Sequence, residues 1–168
     1  MKIAGLVHDS IVDGPGLRFV VFTQGCNIRC KDCHNKNTWD PTGGAEVQVS
    51  YVIDEMLSNP LTDGLTISGG EPFEQAADCL SLAAAAREKG LNVWIFTGKI
   101  FEKLLSEAKE NKDIIKLLKQ TDVLIDGRYI ASERTHALKW RGSKNQRVLD
   151  MPKSLLAGKG VLYDECKD

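Results

Sequence analysis

The sequence lacks any apolar stretch close to the roughly 18 uninterrupted residues of a membrane span. It also lacks charge of one sign. Lys and Arg number 22 against 23 Asp and Glu, a net charge of −1, so there is no overall electrostatic drive toward nucleic acid. These absences predict neither a nucleic-acid nor a membrane partner. The N-terminus reaches Asp9 before a secretory signal core could form, which predicts a soluble, cytoplasmic protein. No repeat, low-complexity tract or Pro/Gly/Ser-rich linker divides the chain. One domain over residues 1–168 is expected, with 151–168 a candidate C-terminal extension. The 168 residues are too few for a complete eight-unit β/α barrel, which takes about 250, but 42% hydrophobic content can fill a core.

Cysteine is scarce and unevenly placed. Of five, Cys26, Cys30 and Cys33 fall within eight residues, while Cys79 and Cys166 stand apart. An odd number with this spacing argues against a disulfide framework. Three thiols in one short loop point to a metal site. Cys79, in a predicted helix, and Cys166, near the chain end, read as incidental or buried thiols.

Four short segments rich in apolar and β-branched residues read as buried strands: 17–23, 64–68, 91–97 and 123–126. Helical patterns lie between them. One runs from a Ser50 cap to about Ser58, and one starts near Phe73 and stops at Gly90. Two more cover 100–108 and 113–120. The alternation predicts an α/β fold with a parallel sheet and room for roughly five βαβ units. A single-domain, incomplete (open) β/α barrel is the first expectation and a doubly wound open sheet the second. The four strand tails are Gly25-Cys26, Gly69-Gly70-Glu71-Pro72, Thr97-Gly98 and Asp126-Gly127-Arg128. Ligands of parallel α/β folds bind at the carboxyl ends of the strands, so these tails are expected to meet around one site.

Three thiolates can hold a cubane iron–sulfur cluster with one iron left open, since such a cluster usually takes four cysteines. A Cys3His zinc site would need His34, which follows Cys33 directly, outside the usual ligand spacing. An electron-transfer cluster would need distant Cys79 or Cys166. A redox Cys30–Cys33 pair would leave Cys26 unexplained. Spacing alone leaves these readings open, with the open cluster ahead.

The motif Cys26-x3-Cys30-x2-Cys33 resembles the cluster motif of radical S-adenosylmethionine enzymes, and Gly69-Gly70-Glu71-Pro72 resembles that superfamily's glycine-rich strand tail. Val12-Asp13-Gly14-Pro15-Gly16-Leu17-Arg18, with Cys33-His34-Asn35 and Trp39, resembles the glycyl-radical enzyme activases. Trp140-Arg141-Gly142-Ser143-x-Asn145-Gln146-Arg147 is similar to those acting on anaerobic ribonucleotide reductases. The resemblance runs from about Ile11 to Asp150. It departs at Asp32, where many superfamily members carry an aromatic residue near the adenine.

The resemblance implies a [4Fe-4S] cluster on Cys26, Cys30 and Cys33 whose open iron binds S-adenosyl-L-methionine. One electron from a low-potential donor such as flavodoxin or ferredoxin cleaves the sulfonium reductively, and the resulting radical takes hydrogen from a glycine of the partner. The implied partner is the large subunit of an anaerobic ribonucleotide reductase. Gly69, Gly70 and Glu71 are expected at the methionyl amino group, with a helix-terminal carboxylate the alternative for Glu71. Thr97, Asp126 and Arg128 are expected near the methionyl carboxylate or a nearby cation, with surface charge the alternative for Arg128. His34 and Asn35 are expected beside the cofactor, with a loop-structuring role the alternative. Asp13 is expected at the partner's glycine loop. Six Arg or Lys against one acid between 128 and 147 suggest a docking face anchored by Trp140 and Arg141.

Overall fold

A computed structural model describes residues 1–135 and 138–164. The seven strands are β1 (Lys2–Ser10), β2 (Arg18–Thr23), β3 (Ala45–Glu46), β4 (Gly64–Gly69), β5 (Asn92–Phe96), β6 (Val123–Asp126) and β7 (Arg147–Asp150). The helices are α1 (Val49–Leu57), α2 (Ala76–Glu88), α3 (Phe101–Glu107), α4 (Lys112–Gln120) and α5 (Met151–Ala157). All seven strands form one sheet in the order β3-β1-β2-β4-β5-β6-β7.

The four apolar segments of the sequence become β2, β4, β5 and β6. They pair in parallel, with Arg18 opposite Gly64, Gly64 opposite Asn92 and Trp94 opposite Val123. Each parallel strand lies beside its predecessor in the chain, so crossovers of one hand carry every intervening helix to the same face. Period-2 alternation then divides the strand side chains. Phe19, Val21, Leu65, Ile67, Val93, Ile95 and Leu124 face the helices. There they pack with Val52 and Met56 of α1, Leu82, Ala83 and Ala86 of α2, Leu104 of α3, and Leu117 and Leu118 of α4. Burying each large aliphatic side chain contributes about 1.5–3 kcal/mol, and this layer is the main core.

Among the described residues, no helix covers the opposite face. It holds a smaller cluster of Trp94, Val123, Ile125 and Val148, packed with Phe96, Trp140 and Tyr163. Beside it lies the fully buried Arg18. Its guanidinium donates to Thr66 Oγ1 at 3.0 Å, the Leu65 carbonyl at 2.6 Å and Asn92 Oδ1, and it stands over the Trp94 ring. Burial lowers its pKa to about 10 against the pull of Asp122, Asp63 and Asp13, which leaves it cationic at neutral pH.

The all-parallel sheet expected from the alternation is corrected at its edges. Strands β1, β3 and β7 run antiparallel to their neighbours, and only three crossovers link the parallel strands rather than about five. Strand β1 carries Gly5, His8 and Asp9 and is half solvated, so it shows no apolar run. Its register shifts twice against β2, with Asp9 at φ +58°. The result is a mixed α/β sheet, mostly parallel at its centre and compatible with a partial β/α barrel.

Local signals fare well. Gly90, at φ +77°, ends α2 as expected. Its N–H donates to Arg87 O at 2.9 Å, and the Leu91 N–H donates to Ala86 O at 3.0 Å, the paired bonds of a Schellman stop. Helix α1, however, begins one residue before Ser50, with Gln48 as its N-cap and no side-chain cap bond. Residues 151–157 form α5. Beyond it, Val161 O accepts from Asp150 N at 2.9 Å and Tyr163 N donates to Val148 O at 2.9 Å, tying the described end of the chain to β7. Cys166 lies outside the described residues. Among the described residues no helix is long and apolar enough to cross a membrane.

Candidate metal and cofactor site

The carboxyl ends of the four parallel strands surround a cavity of about 230 Å³. All four strand tails contribute to its wall: Cys26 after β2, Gly69 and Gly70 at the end of β4, Thr97 and Gly98 after β5, and Gly127 after β6. Cys30, Cys33, His34 and Asn35 join them from the loop that follows Cys26.

That loop is fastened at both ends. The Gly25 N–H donates to Thr38 O at 2.8 Å and the Cys26 N–H to Trp39 O at 3.1 Å. The Gln24 amide donates to the carbonyls of Asn37 and Asp40 at 3.0 and 2.7 Å. Inside the loop, Cys33 N donates to Cys30 O at 3.0 Å, and Cys33 Sγ accepts from Asn35 N at 3.3 Å. Arg29 takes φ +49° between the first two cysteines. Burial pushes the Cys26 thiol up; backbone donors at Arg29 and Ile28 oppose this, and the Glu71 and Glu74 charges add to it.

The β4 tail is tight by construction. Gly69 has φ +96°, and a Cβ there would lie 2.5 Å from the Thr23 amide nitrogen. A Cβ on Gly70 would overlap the Gly25 carbonyl, which accepts from the Glu71 N–H at 2.8 Å. Only glycine lets the two tails lie side by side without strain. Glu71 itself is fully buried and does not line the cavity. Its carboxylate accepts from Phe73 N at 3.2 Å, Thr97 Oγ1 at 2.8 and 2.9 Å, and Gly98 N at 3.1 Å. It therefore caps the 3-10 turn Pro72–Gln75 and fixes the neighbouring β5 tail. Burial pushes its pKa up to about 7, against the lowering by these donors and by Lys99.

The remaining wall comes from the segment after β6. Gln146 donates to Gly127 O at 3.1 Å and accepts from the Gly142 and Ser143 N–H groups at 2.9 and 3.2 Å, folding the loop onto the strand tail. The Tyr129 ring meets the His34 ring at 4.4 Å and lies close to Gly142, where a Cβ would come within 3.1 Å of it. Tyr129, Gln146, Ile28, Phe96 and Ser68 line the cavity without a sequence-based expectation attached to them. Placement after a strand tail was the signal available for Tyr129.

Other expected residues lie elsewhere. Asp126 is fully buried behind the cavity, accepting from Phe101 N at 2.8 Å and from Arg147 Nε at 2.9 Å. Arg128 is exposed and outside the cavity wall, its carbonyl held by Asn145 Nδ2 at 2.7 Å. Asp13 accepts from Ser10 Oγ at 2.6 Å, and its carbonyl accepts from Thr66 Oγ1 at 2.8 Å. That places it on the helix-free face, two residues along β4 from Ser68. The Trp140 ring packs edge-on against Trp94 at 5.5 Å, and Arg141 Nη1 donates to Gln146 O at 3.0 Å.

The donor set can be tested against the metal groups it could hold. Among the described residues no three His, Cys, Asp or Glu side chains converge on a point where one ion could sit. A tetrahedral zinc needs its ligands within about 2.3 Å of one centre. In an iron–sulfur cluster each thiolate takes a different iron, so thiols spread around a common cavity suffice. Cys26, Cys30 and Cys33 have that arrangement and fit the cluster.

The family described as the 4Fe-4S single cluster domain matches residues 12–149. The chain is 35% identical to the anaerobic ribonucleoside-triphosphate reductase-activating protein of Enterobacteria phage T4, over 82% of this chain and 86% of that protein. It is 32% identical to the protein of the same name from Escherichia coli K12, over 82% of this chain and 91% of that one. It is 33% identical to the pyruvate formate-lyase 1-activating enzyme of Escherichia coli K12, over 96% of this chain but only 66% of that enzyme. With a family match across residues 12–149 and relatives of this kind, the chain belongs to the 4Fe-4S single cluster domain family and is similar over most of its length to these activating proteins.

Proposed function

We propose that this protein activates an anaerobic ribonucleoside-triphosphate reductase by generating a glycyl radical on it. The observation that carries the proposal is the meeting of three cysteine thiols with the Gly69-Gly70 and Thr97-Gly98 tails at one cavity. Cys26, Cys30 and Cys33 hold a [4Fe-4S] cluster and leave one iron open. When bound, that cluster with S-adenosyl-L-methionine supplies one-electron reductive cleavage and a carbon radical able to take hydrogen from glycine.

The protein's own groups bind, orient and shield. Gly69 and Gly70 bring backbone close to the methionyl end, and Glu71 anchors Thr97 and Gly98 from behind. His34 and Asn35 contact the cofactor from the cluster loop. Ile28, Phe96 and Tyr129 give an apolar wall that keeps water from a reactive intermediate. Asp126 and Arg128 bear on the site indirectly, Asp126 through its buried pair with Arg147 and Arg128 through the loop that carries Tyr129. Asp13 lies where a partner's glycine loop entering over the helix-free face would pass. Trp140 and Arg141 stiffen the basic segment that the reductase meets, and a low-potential protein such as flavodoxin or ferredoxin delivers the electron.

Coverage favours the reductase over pyruvate formate-lyase as partner: the chain spans 86% and 91% of two reductase activators and 66% of the lyase activator. Anaerobic electron paramagnetic resonance of the reconstituted protein with S-adenosylmethionine, reductant and each candidate tests this. A glycine-centred doublet is expected with the reductase. A doublet only with the lyase reassigns the partner, and none with either refutes activation.

A further inference from the structure

Trp39, a residue of the cavity wall, carries a buried hydrogen-bond donor for which the described residues supply no acceptor. Trp39 Nε1 is enclosed and makes no hydrogen bond, and among the described residues this is shared by the indole nitrogen of Trp140. Leaving such a group unsatisfied costs about 1–3 kcal/mol, and an orphaned donor in a folded protein calls for a specific explanation. The two indoles differ in position. Trp140 packs on Trp94 and does not line the cavity, whereas Trp39 does.

Trp39 is also tied to the first cysteine. Its carbonyl accepts the Cys26 N–H at 3.1 Å, so the indole is carried by the same clasp that closes the thiol-bearing loop. The Lys36 ammonium stands 5.9 Å from the centroid of its ring. An indole nitrogen can only donate, and the described residues supply it no acceptor. A cluster held by Cys26, Cys30 and Cys33 brings sulfide and thiolate sulfurs as acceptors, and hydrogen bonds to those sulfurs are among the factors that set a cluster's reduction potential.

We propose that Trp39 Nε1 donates a hydrogen bond to a sulfur of the bound cluster and thereby raises its reduction potential. The inference rests on the cluster reading above and adds a tuning residue to it. The physical reason for the sign is electrostatic. Reduction adds negative charge to the sulfurs, a donor stabilises that charge more than it stabilises the oxidised form, and removing the donor makes reduction harder.

The test is a redox titration followed by electron paramagnetic resonance on anaerobically reconstituted protein without S-adenosylmethionine. Three variants are compared with wild type: Trp39→Phe, Trp39 replaced by benzothienylalanine (sulfur for N–H, bicyclic shape kept) and Trp140→Phe. Both Trp39 variants are expected to show a roughly tenfold lower ratio of reduced to oxidised cluster at a fixed potential, a negative shift of about 59 mV for a one-electron couple. Trp140→Phe is expected to titrate with wild type. An unmoved midpoint in the benzothienyl variant overturns the proposal, as does a loss confined to S-adenosylmethionine affinity. Loss of iron uptake in the benzothienyl variant also overturns it, in favour of a structural role. Failure of the wild-type protein to take up iron and sulfide would instead remove the cluster reading itself.

Discussion

The side-by-side approach of the β2 and β4 tails can be tested by adding one methyl group. In Gly70→Ala the new Cβ would overlap the Gly25 carbonyl oxygen and lie 2.9 Å from the Gly25 carbonyl carbon and 3.2 Å from its nitrogen. Those atoms are backbone, held by the Glu71 N–H to Gly25 O and Gly70 N–H to Thr23 O bonds, both 2.8 Å. The overlap can be relieved only by moving the strand tail that begins the Cys26 loop. Overpacking of this sort costs about 1–3 kcal/mol, and weakening two backbone hydrogen bonds adds roughly 1 kcal/mol. The lower chain entropy of alanine in the unfolded state returns about 0.4–1 kcal/mol. A net loss of about 2–3 kcal/mol is expected, read as a Tm lower by roughly 4–12 °C for a chain of this size.

Gly98→Ala is the internal comparison. Its Cβ would meet Ile28 Cδ1 at 2.7 Å, the far end of a flexible side chain that can change rotamer, so less than about 1 kcal/mol is expected. Urea denaturation measures both losses, and iron and sulfide per chain after anaerobic reconstitution reports the loop. Gly70→Ala should bind less cluster than Gly98→Ala. If Gly70→Ala stays within about 0.5 kcal/mol of wild type and loads fully, the tight approach is not what positions the cysteine loop.

Further outcomes follow from particular groups. Alanine at Cys26, Cys30 or Cys33 should abolish iron uptake, whereas Cys79→Ala should leave it intact and cost about 1 kcal/mol. Cys79 is fully buried in α2 and its thiol is pushed up by burial, so lost iron there would reveal an unsuspected ligand. The Glu71 carboxyl, raised to about 7 from 4.5 by burial, keeps a proton in the folded state that the unfolded chain releases. Its contribution to stability is therefore present below about pH 4.5 and lost as pH rises through about 7, roughly 3 kcal/mol in all. Glu71→Gln should flatten that part of the apoprotein's pH–stability curve; an unchanged slope would contradict the burial argument. Arg147→Met strands Asp126, whose side chain is 1% exposed. The expected loss is about 2–4 kcal/mol by chemical denaturation, and a loss below about 0.5 kcal/mol would mean the pair is dispensable. Lys139→Glu with Lys144→Glu should weaken reductase binding at low salt and converge with wild type at high salt; equal affinity at both would remove the docking role.

The sequence determined those parts of the molecule that depend on residues close in the chain. The apolar runs that became β2, β4, β5 and β6 must be covered on both sides, so their strand character and parallel pairing were legible. The Gly90 stop was legible because a left-handed residue at a helix end is a local requirement. Three cysteines within eight residues share a loop in any fold, and strand-end tails of a parallel sheet share a side, so the centre of the site followed.

Only the tertiary structure decided how groups far apart in sequence face one another. Strand β1, with its polar interruptions, takes its strand character from pairing with β2 rather than from any pattern of its own. Glu71 faces Thr97 and Gly98 across 26 and 27 residues, and Asp126 meets Arg147 across 21. A carboxylate that is a strong ligand candidate in the sequence becomes a buried anchor once neighbouring backbone N–H groups reach it first. Tyr129 and Gln146 reach the cavity because Gln146 ties Gly142 and Ser143 to the Gly127 carbonyl. The unpartnered indole nitrogen of Trp39 follows from packing between segments, since the described residues that enclose it offer no acceptor. Hydrophobic pattern and turn chemistry act over a few residues, whereas burial and hydrogen-bond competition are settled only when the whole sheet has closed around its tails.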